Sequence, residues 1–153
     1  MTTSTALLAA ATLLTGLSAG LFATFSYVVM PGLRRSDDAE FVAAMRGINI
    51  AILNPVFALV FGGSFVATVT ALVAGWDDPS RPWIFAALAA YVVGAFVITF
   101  AVNVPLNNAL EAGAGSSTVL RRAFEVRWVG SNHARSALTV AAFGCLVLAL
   151  LEV

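Results

Sequence analysis

Charged residues divide the chain into four apolar runs, residues 1–33, 47–76, 82–110 and 136–151, separated by short polar stretches. A helix needs about 20 largely apolar residues to cross a bilayer, so the first three runs suffice. The fourth is too short unless its helix begins upstream, near Asn132, and carries Arg135 into the membrane edge. The pattern predicts an all-α fold: one integral membrane domain over residues 1–153, a four-transmembrane-helix bundle with spans near 6–30, 48–74, 83–102 and 132–151. The first run has no basic start and exceeds the apolar region of a cleaved secretion signal, so it reads as a retained helix.

The links add short amphipathic helices in loops one and three. In loop one, Ser36 followed by Asp37, Asp38 and Glu40 looks like a cap and an acidic first turn leading into residues 41–46. Loop two, residues 77–82, is a tight polar turn. In loop three a Gly-Ala-Gly-Ser-Ser link at 113–117 precedes a helical run over 118–130. Gly16 and Gly20, Ala58 and Gly62, and Ala90 and Gly94 are pairs four residues apart, a spacing that lets helix backbones approach in lipid.

Composition strengthens the membrane reading. The chain is 60% hydrophobic and 10% charged, with a mean hydropathy of +0.94. A soluble domain of this size buries only about 60–70% of its surface, so the excess needs lipid as its solvent. Formal net charge is zero and no basic patch is present, which argues against a nucleic-acid partner. Cys145 is the one cysteine, so no internal disulfide forms. Every basic residue is an arginine. Loop one holds Arg34, Arg35 and Arg46, and loop three holds Arg121, Arg122, Arg127 and Arg135, against Arg81 alone in loop two. The positive-inside rule then puts loops one and three in the cytoplasm and both termini outside the cell membrane.

Polar side chains within apolar spans are site candidates, because lipid cannot satisfy them. Here they converge on one membrane face: Asn49 and Asn54 beside the second span, Asn103 and Asn107 at the end of the third, and Asn132, His133 and Arg135 at the start of the fourth. At about 100° per residue, Arg121, Glu125, Trp128, Asn132, Arg135 and Thr139 share an arc of about 80° if the helix continues through Gly130. Such a stripe belongs against a pocket or water-filled cavity. The plainer alternatives are an Arg121–Glu125 surface pair, an Arg135 that snorkels to headgroups, an interfacial His133, and asparagines that cap loose backbone around Pro105 and Pro55. Residues 65–74 carry only Thr68 and Thr70 as polar groups. A pocket closed at that end suits binding or catalysis better than transport.

At these residues the chain resembles the anthrone-oxygenase-like family of small membrane proteins. The likeness rests on Gly20, Phe25-Ser26-Tyr27 and Met30-Pro31-Gly32-Leu33, then Met45, Ile48-Asn49 and Asn54-Pro55 with Phe57. It continues through Thr99 and Asn103-Val104-Pro105-Leu106-Asn107 to Trp128 and Asn132-His133-Ala134-Arg135-Ser136. The family often has one more aromatic before the final Trp; Phe124 and Arg127 stand nearest that place here. The resemblance implies oxidation of an anthrone to an anthraquinone with O2 in aromatic polyketide pathways, with no metal or flavin. One His and one Cys make no familiar metal site, and the glycines show no dinucleotide-binding pattern.

Oxygenation without a cofactor needs a substrate that becomes an anion and gives an electron to oxygen. The protein must take a proton, hold the anion and exclude water. On this expectation His133 or Glu125 is the base and Arg135 holds the anion. Asn103, Asn107 and Asn132 donate hydrogen bonds, Trp128 stacks on a planar ring, and Asn49 and Asn54 complete the wall. The expected partners are membrane lipids and a hydrophobic aromatic small molecule. A non-enzymatic membrane protein binding a lipid, quinone or partner subunit stays open, as does a small transporter, whose pore a homo-oligomer would complete.

Overall fold

Four helices in the computed structural model, which describes residues 2–153, are long and apolar enough to cross a membrane: α1 (Thr3–Leu33), α3 (Pro55–Ala74), α4 (Arg81–Ala112) and α5 (Ser117–Leu151). Between the first two lies α2 (Asp38–Ala51), a short amphipathic helix in loop one. No strand occurs among the described residues. The fold is the expected all-α, four-span membrane bundle. Asp37, not Ser36, caps α2, in a reciprocal box with Glu40 that satisfies two backbone N–H groups.

Three boundaries differ from the pattern-based expectation, each for a local reason. The run over residues 48–74 is broken. Ile48 and Asn49 belong to α2, and α3 begins only at Pro55. Proline disfavours a helical conformation in the residue before it, and Asn54 is extended, with φ −131° and ψ 163°. The third span does not stop near residue 102 but continues through Pro105 to Ala112. A π-helical turn at Thr99–Asn103 makes this feasible: the Val104 N–H donates to the Thr99 carbonyl, and the widened turn accepts the ring without ending the helix. The fourth span and the helix of loop three are one rod of 35 residues that runs through Gly130. At about 1.5 Å per residue it is roughly 50 Å long against a hydrocarbon core of about 30 Å, so its first turns stand outside the membrane.

The helices form a ring in which α1 packs against α3 and α5, and α4 against α5 and α3; α2 lies across α5 and the end of α4. Two of the small residues permit this closeness. A Cβ at Gly16 would lie 2.9 Å from Phe143, and one at Gly94 would lie 2.7 Å from the Leu138 Cβ. Gly20 and Gly62 have nothing within 4 Å and so play no such part. The buried apolar residues fall into two clusters. One fills the bundle with Leu8, Phe61, Leu72, Ile84, Tyr91 and Leu146. The other joins α2 to the loop-side ends of the spans through Met30, Phe41, Met45, Leu110, Phe124 and Trp128.

Candidate functional site

Between these two clusters the bundle is hollow. A cavity of about 360 Å³ is bounded by Phe22 and Phe25 of α1, the end of α2, the start of α3, Thr99 to Glu111 on α4, and Trp128 and Arg135 of α5. Pockets for small organic ligands fall in the range of about 300–1,000 Å³. Two π-helical turns serve it. Phe25–Val29 carries Phe25 on α1, and Thr99–Asn103 carries Thr99 and Asn103 on α4. Such turns recur at functional sites because they redirect side chains out of the regular helical register. The rim is apolar on one side, where Ile50 and Leu53 at the α2–α3 break are exposed.

Arg135 dominates the wall. It is 6% exposed. Its Nη1 donates to Thr99 Oγ1 at 3.1 Å and its Nη2 to Asn132 Oδ1 at 2.6 Å. The guanidinium lies 4.1 Å from the centre of the Phe22 ring and 5.7 Å from that of Trp128. It joins no ion pair among the described residues, and its Nε is buried without a partner. Taking a cation out of water costs several kcal/mol. Two hydrogen bonds and aromatic faces offset only part of that cost.

The amides around Arg135 are ordered by the same helices. Asn132 is fully buried and donates to Ser26 Oγ at 2.8 Å and to the Phe22 carbonyl at 3.1 Å, which fixes its oxygen toward Arg135. Asn103 donates to Ser131 Oγ at 3.0 Å, leaving its Oδ1 without a partner. Asn107 accepts the Trp128 indole N–H at 2.8 Å. Asn49 reaches the cavity from α2, and its Nδ2 is unpartnered. Three residues that line the cavity thus each keep one buried polar atom without a partner: the donors Asn49 Nδ2 and Arg135 Nε and the acceptor Asn103 Oδ1. Trp128 itself is held between Phe25, at 5.7 Å between ring centres, and Phe124, stacked at 5.8 Å.

The polar convergence expected from the sequence is thus real for Asn49, Asn103, Asn107, Trp128 and Arg135. Asn132 stands behind Arg135 and positions it without lining the cavity. Three residues lie elsewhere. Asn54 caps α3: its Oδ1 accepts the Phe57 N–H at 2.9 Å and its Nδ2 donates to the Ala51 carbonyl at 2.8 Å, so the amide is consumed at the helix start. His133 is exposed and off the wall, because it lies on the flank of α5 away from the Asn132–Arg135 face. Glu125 also lies off the wall, held by Arg121 at 2.8 Å and Arg34 at 3.3 Å. Neither of these two can take a proton from a molecule in the cavity without first leaving its place.

One ionisable lining residue escaped the sequence reading, as did the amide of Asn108 beside it. Glu111 lies on the wall four residues beyond Asn107 and eight beyond Asn103, on the same helical face. That spacing is visible in the sequence, but a third span ending near residue 102 leaves Glu111 in a loop. Among the described residues, Arg135 and Glu111 are the ionisable side chains on the wall, and no three His, Cys, Asp or Glu side chains lie close enough to share a metal ion.

A family model described as anthrone oxygenase matches residues 51–145, which cover α3, α4 and the part of α5 that carries Trp128 and Arg135. Neither a curated protein nor a solved structure matches the chain.

Proposed function

The chain belongs to the anthrone oxygenase family, and from that premise we propose that it is a membrane-embedded oxygenase that binds a flat, lipid-soluble aromatic as its anion and oxidises it with O2. The reaction is of the anthrone-to-anthraquinone type. The methylene carbon becomes a carbonyl, one oxygen atom enters the product, and the other leaves as water with the two methylene hydrogens. O2 is the co-substrate and no metal or flavin takes part. In this reading the arginine-rich loops face the cytoplasm and both termini lie outside the cell membrane.

The observation that carries the reading is Arg135, a buried guanidinium with no carboxylate partner and a free Nε on the wall of an aromatic-lined cavity. An aryloxide supplies the missing charge. Preorganised donors aimed at developing negative charge are worth most in a water-poor site, and Asn49, whose Nδ2 has no partner, adds a second donor on the same wall. Trp128, Phe25 and Phe22 give the ring flat apolar surfaces.

Purified protein incubated aerobically with anthrone, with quinone formation followed by absorbance, tests this directly. Turnover above the spontaneous rate is expected to fall by about 10²–10³ in Arg135→Gln, with a smaller loss in Asn103→Ala. Wild-type protein that yields no quinone and binds no hydroxyanthraquinone contradicts the reading. Binding without turnover favours a non-enzymatic role for the same cavity.

A further inference from the structure

An oxygenase of this kind needs a base, and the two candidates favoured by the sequence stand off the cavity. We propose that Glu111 is the proton acceptor, an inference that rests on the oxygenase reading above. It is the carboxylate that lines the cavity, on the helical face that also presents Asn103 and Asn107. Unlike Glu125, which two arginines hold, Glu111 is in no ion pair among the described residues. The adjacent arginine on α2, Arg46, is engaged elsewhere: its guanidinium donates to the carbonyls of Leu110 and Gly113 at 2.8–3.1 Å, which anchors the end of α4 beside Glu111.

The placement suits the chemistry. In an anthrone the carbonyl and the methylene lie on opposite edges of the central ring. The group that stabilises the oxyanion and the group that removes the proton must therefore stand at different ends of the cavity. Arg135 is the buried end and Glu111, which is solvent-exposed, is the mouth. The methylene C–H bond breaks, its electron pair passes into the ring system and onto the oxygen facing Arg135, and the proton forms an O–H bond on the Glu111 carboxylate. From the mouth that proton is released to water, a route that a buried base would lack. No oxidant enters this step; O2 meets the anion afterwards.

Leaving out O2 isolates the step. Under anaerobic conditions in D2O, wild-type protein should accelerate exchange of the anthrone methylene hydrogens for deuterium, read by mass spectrometry. Glu111→Gln should exchange at least about 10²-fold more slowly while binding 2-hydroxyanthraquinone, which has no methylene, as tightly as wild type. Glu111→Asp should recover part of the rate. Exchange at the wild-type rate in Glu111→Gln overturns the proposal, as does a loss that merely parallels weakened binding. Wild-type protein that binds the quinone yet leaves exchange unaccelerated also overturns it. Failure of the oxygenase reading looks different, since wild-type protein would then fail to convert anthrone in air above the spontaneous rate, whether or not it binds 2-hydroxyanthraquinone.

Discussion

In the half of the bundle that holds Thr12, Ser64 and Thr68, each hydroxyl donates to the carbonyl four residues earlier on its own helix, at 2.8 Å for Thr12 and 2.7 Å for Thr68. Tyr91 donates to the Phe61 carbonyl and pairs with Ser18, both at 2.9 Å. Thr15 Oγ1 and, at the loop-two end, Ser80 Oγ are the exceptions that have no partner. Around Arg135 the arrangement is the reverse. Amides and a guanidinium stand among the hydroxyls there, and Asn49 Nδ2, Asn103 Oδ1 and Arg135 Nε remain unsatisfied in residues that line a cavity. A hydroxyl has few hydrogen-bonding valences and its own helix can absorb them. An amide or guanidinium has more than any helix can absorb. The first half is consequently closed, and the second keeps unspent polar groups in the residues that line the cavity.

Substitutions should separate the two halves sharply. The largest contrast is at Arg135. Arg135→Gln should abolish most turnover yet leave the ligand-free protein melting at or above the wild-type temperature, because an unpaired buried charge is removed. A wild-type rate, or a collapse of the fold, would erase the distinction. Next comes packing. Gly94→Ala places a Cβ 2.7 Å from Leu138 and should destabilise by about 1–3 kcal/mol, whereas Gly20→Ala meets nothing within 4 Å and should be near neutral. Thermal melts of the pair in one detergent decide it. In the closed half, Tyr91→Phe leaves the Phe61 carbonyl without its inter-helix donor. It should cost about 1–2 kcal/mol of stability with no change in turnover, and a loss of activity there would mean the two halves are coupled.

The smallest effect lies outside both halves, where α2 meets α5. Thr118 donates to Asp38 at 2.6 Å and Arg121 at 3.1 Å, which together hold the carboxyl below its ordinary value of 3.8. The folded state binds this proton more weakly than the unfolded state, so the contact stabilises above that value and is lost as pH falls below it. Wild type should melt slightly above Asp38→Asn near neutral pH, and the difference should vanish below 3.8. The effect is small because the carboxyl is only partly buried and its charge is screened by solvent.

The architecture was legible because a membrane reports itself through long charge-free runs, and the positions of Asn103, Asn107, Asn132 and Arg135 stood out against them. Two things were not legible. Whether Pro105 ends a helix or rides on a π turn depends on the hydrogen bond from Val104 to Thr99, which no local pattern announces. That one bond decides whether Glu111 is a loop residue or part of the wall. Asn54 misled in the opposite sense, since an amide before proline reads equally as a cap or as a ligand contact until its partners at Ala51 and Phe57 are seen. His133 misled because neighbours on a helix point about 100° apart, so adjacency to Asn132 did not bring it to the cavity.

The measurement closest to the central claim is an absorbance titration of wild type and Arg135→Gln with 2-hydroxyanthraquinone, whose band shifts to longer wavelength when its hydroxyl ionises. The account predicts that wild type binds the dye in its ionised form at a pH where the free dye is largely neutral, and that Arg135→Gln, still folded, does not. Equal binding and an unshifted band in both proteins would contradict it.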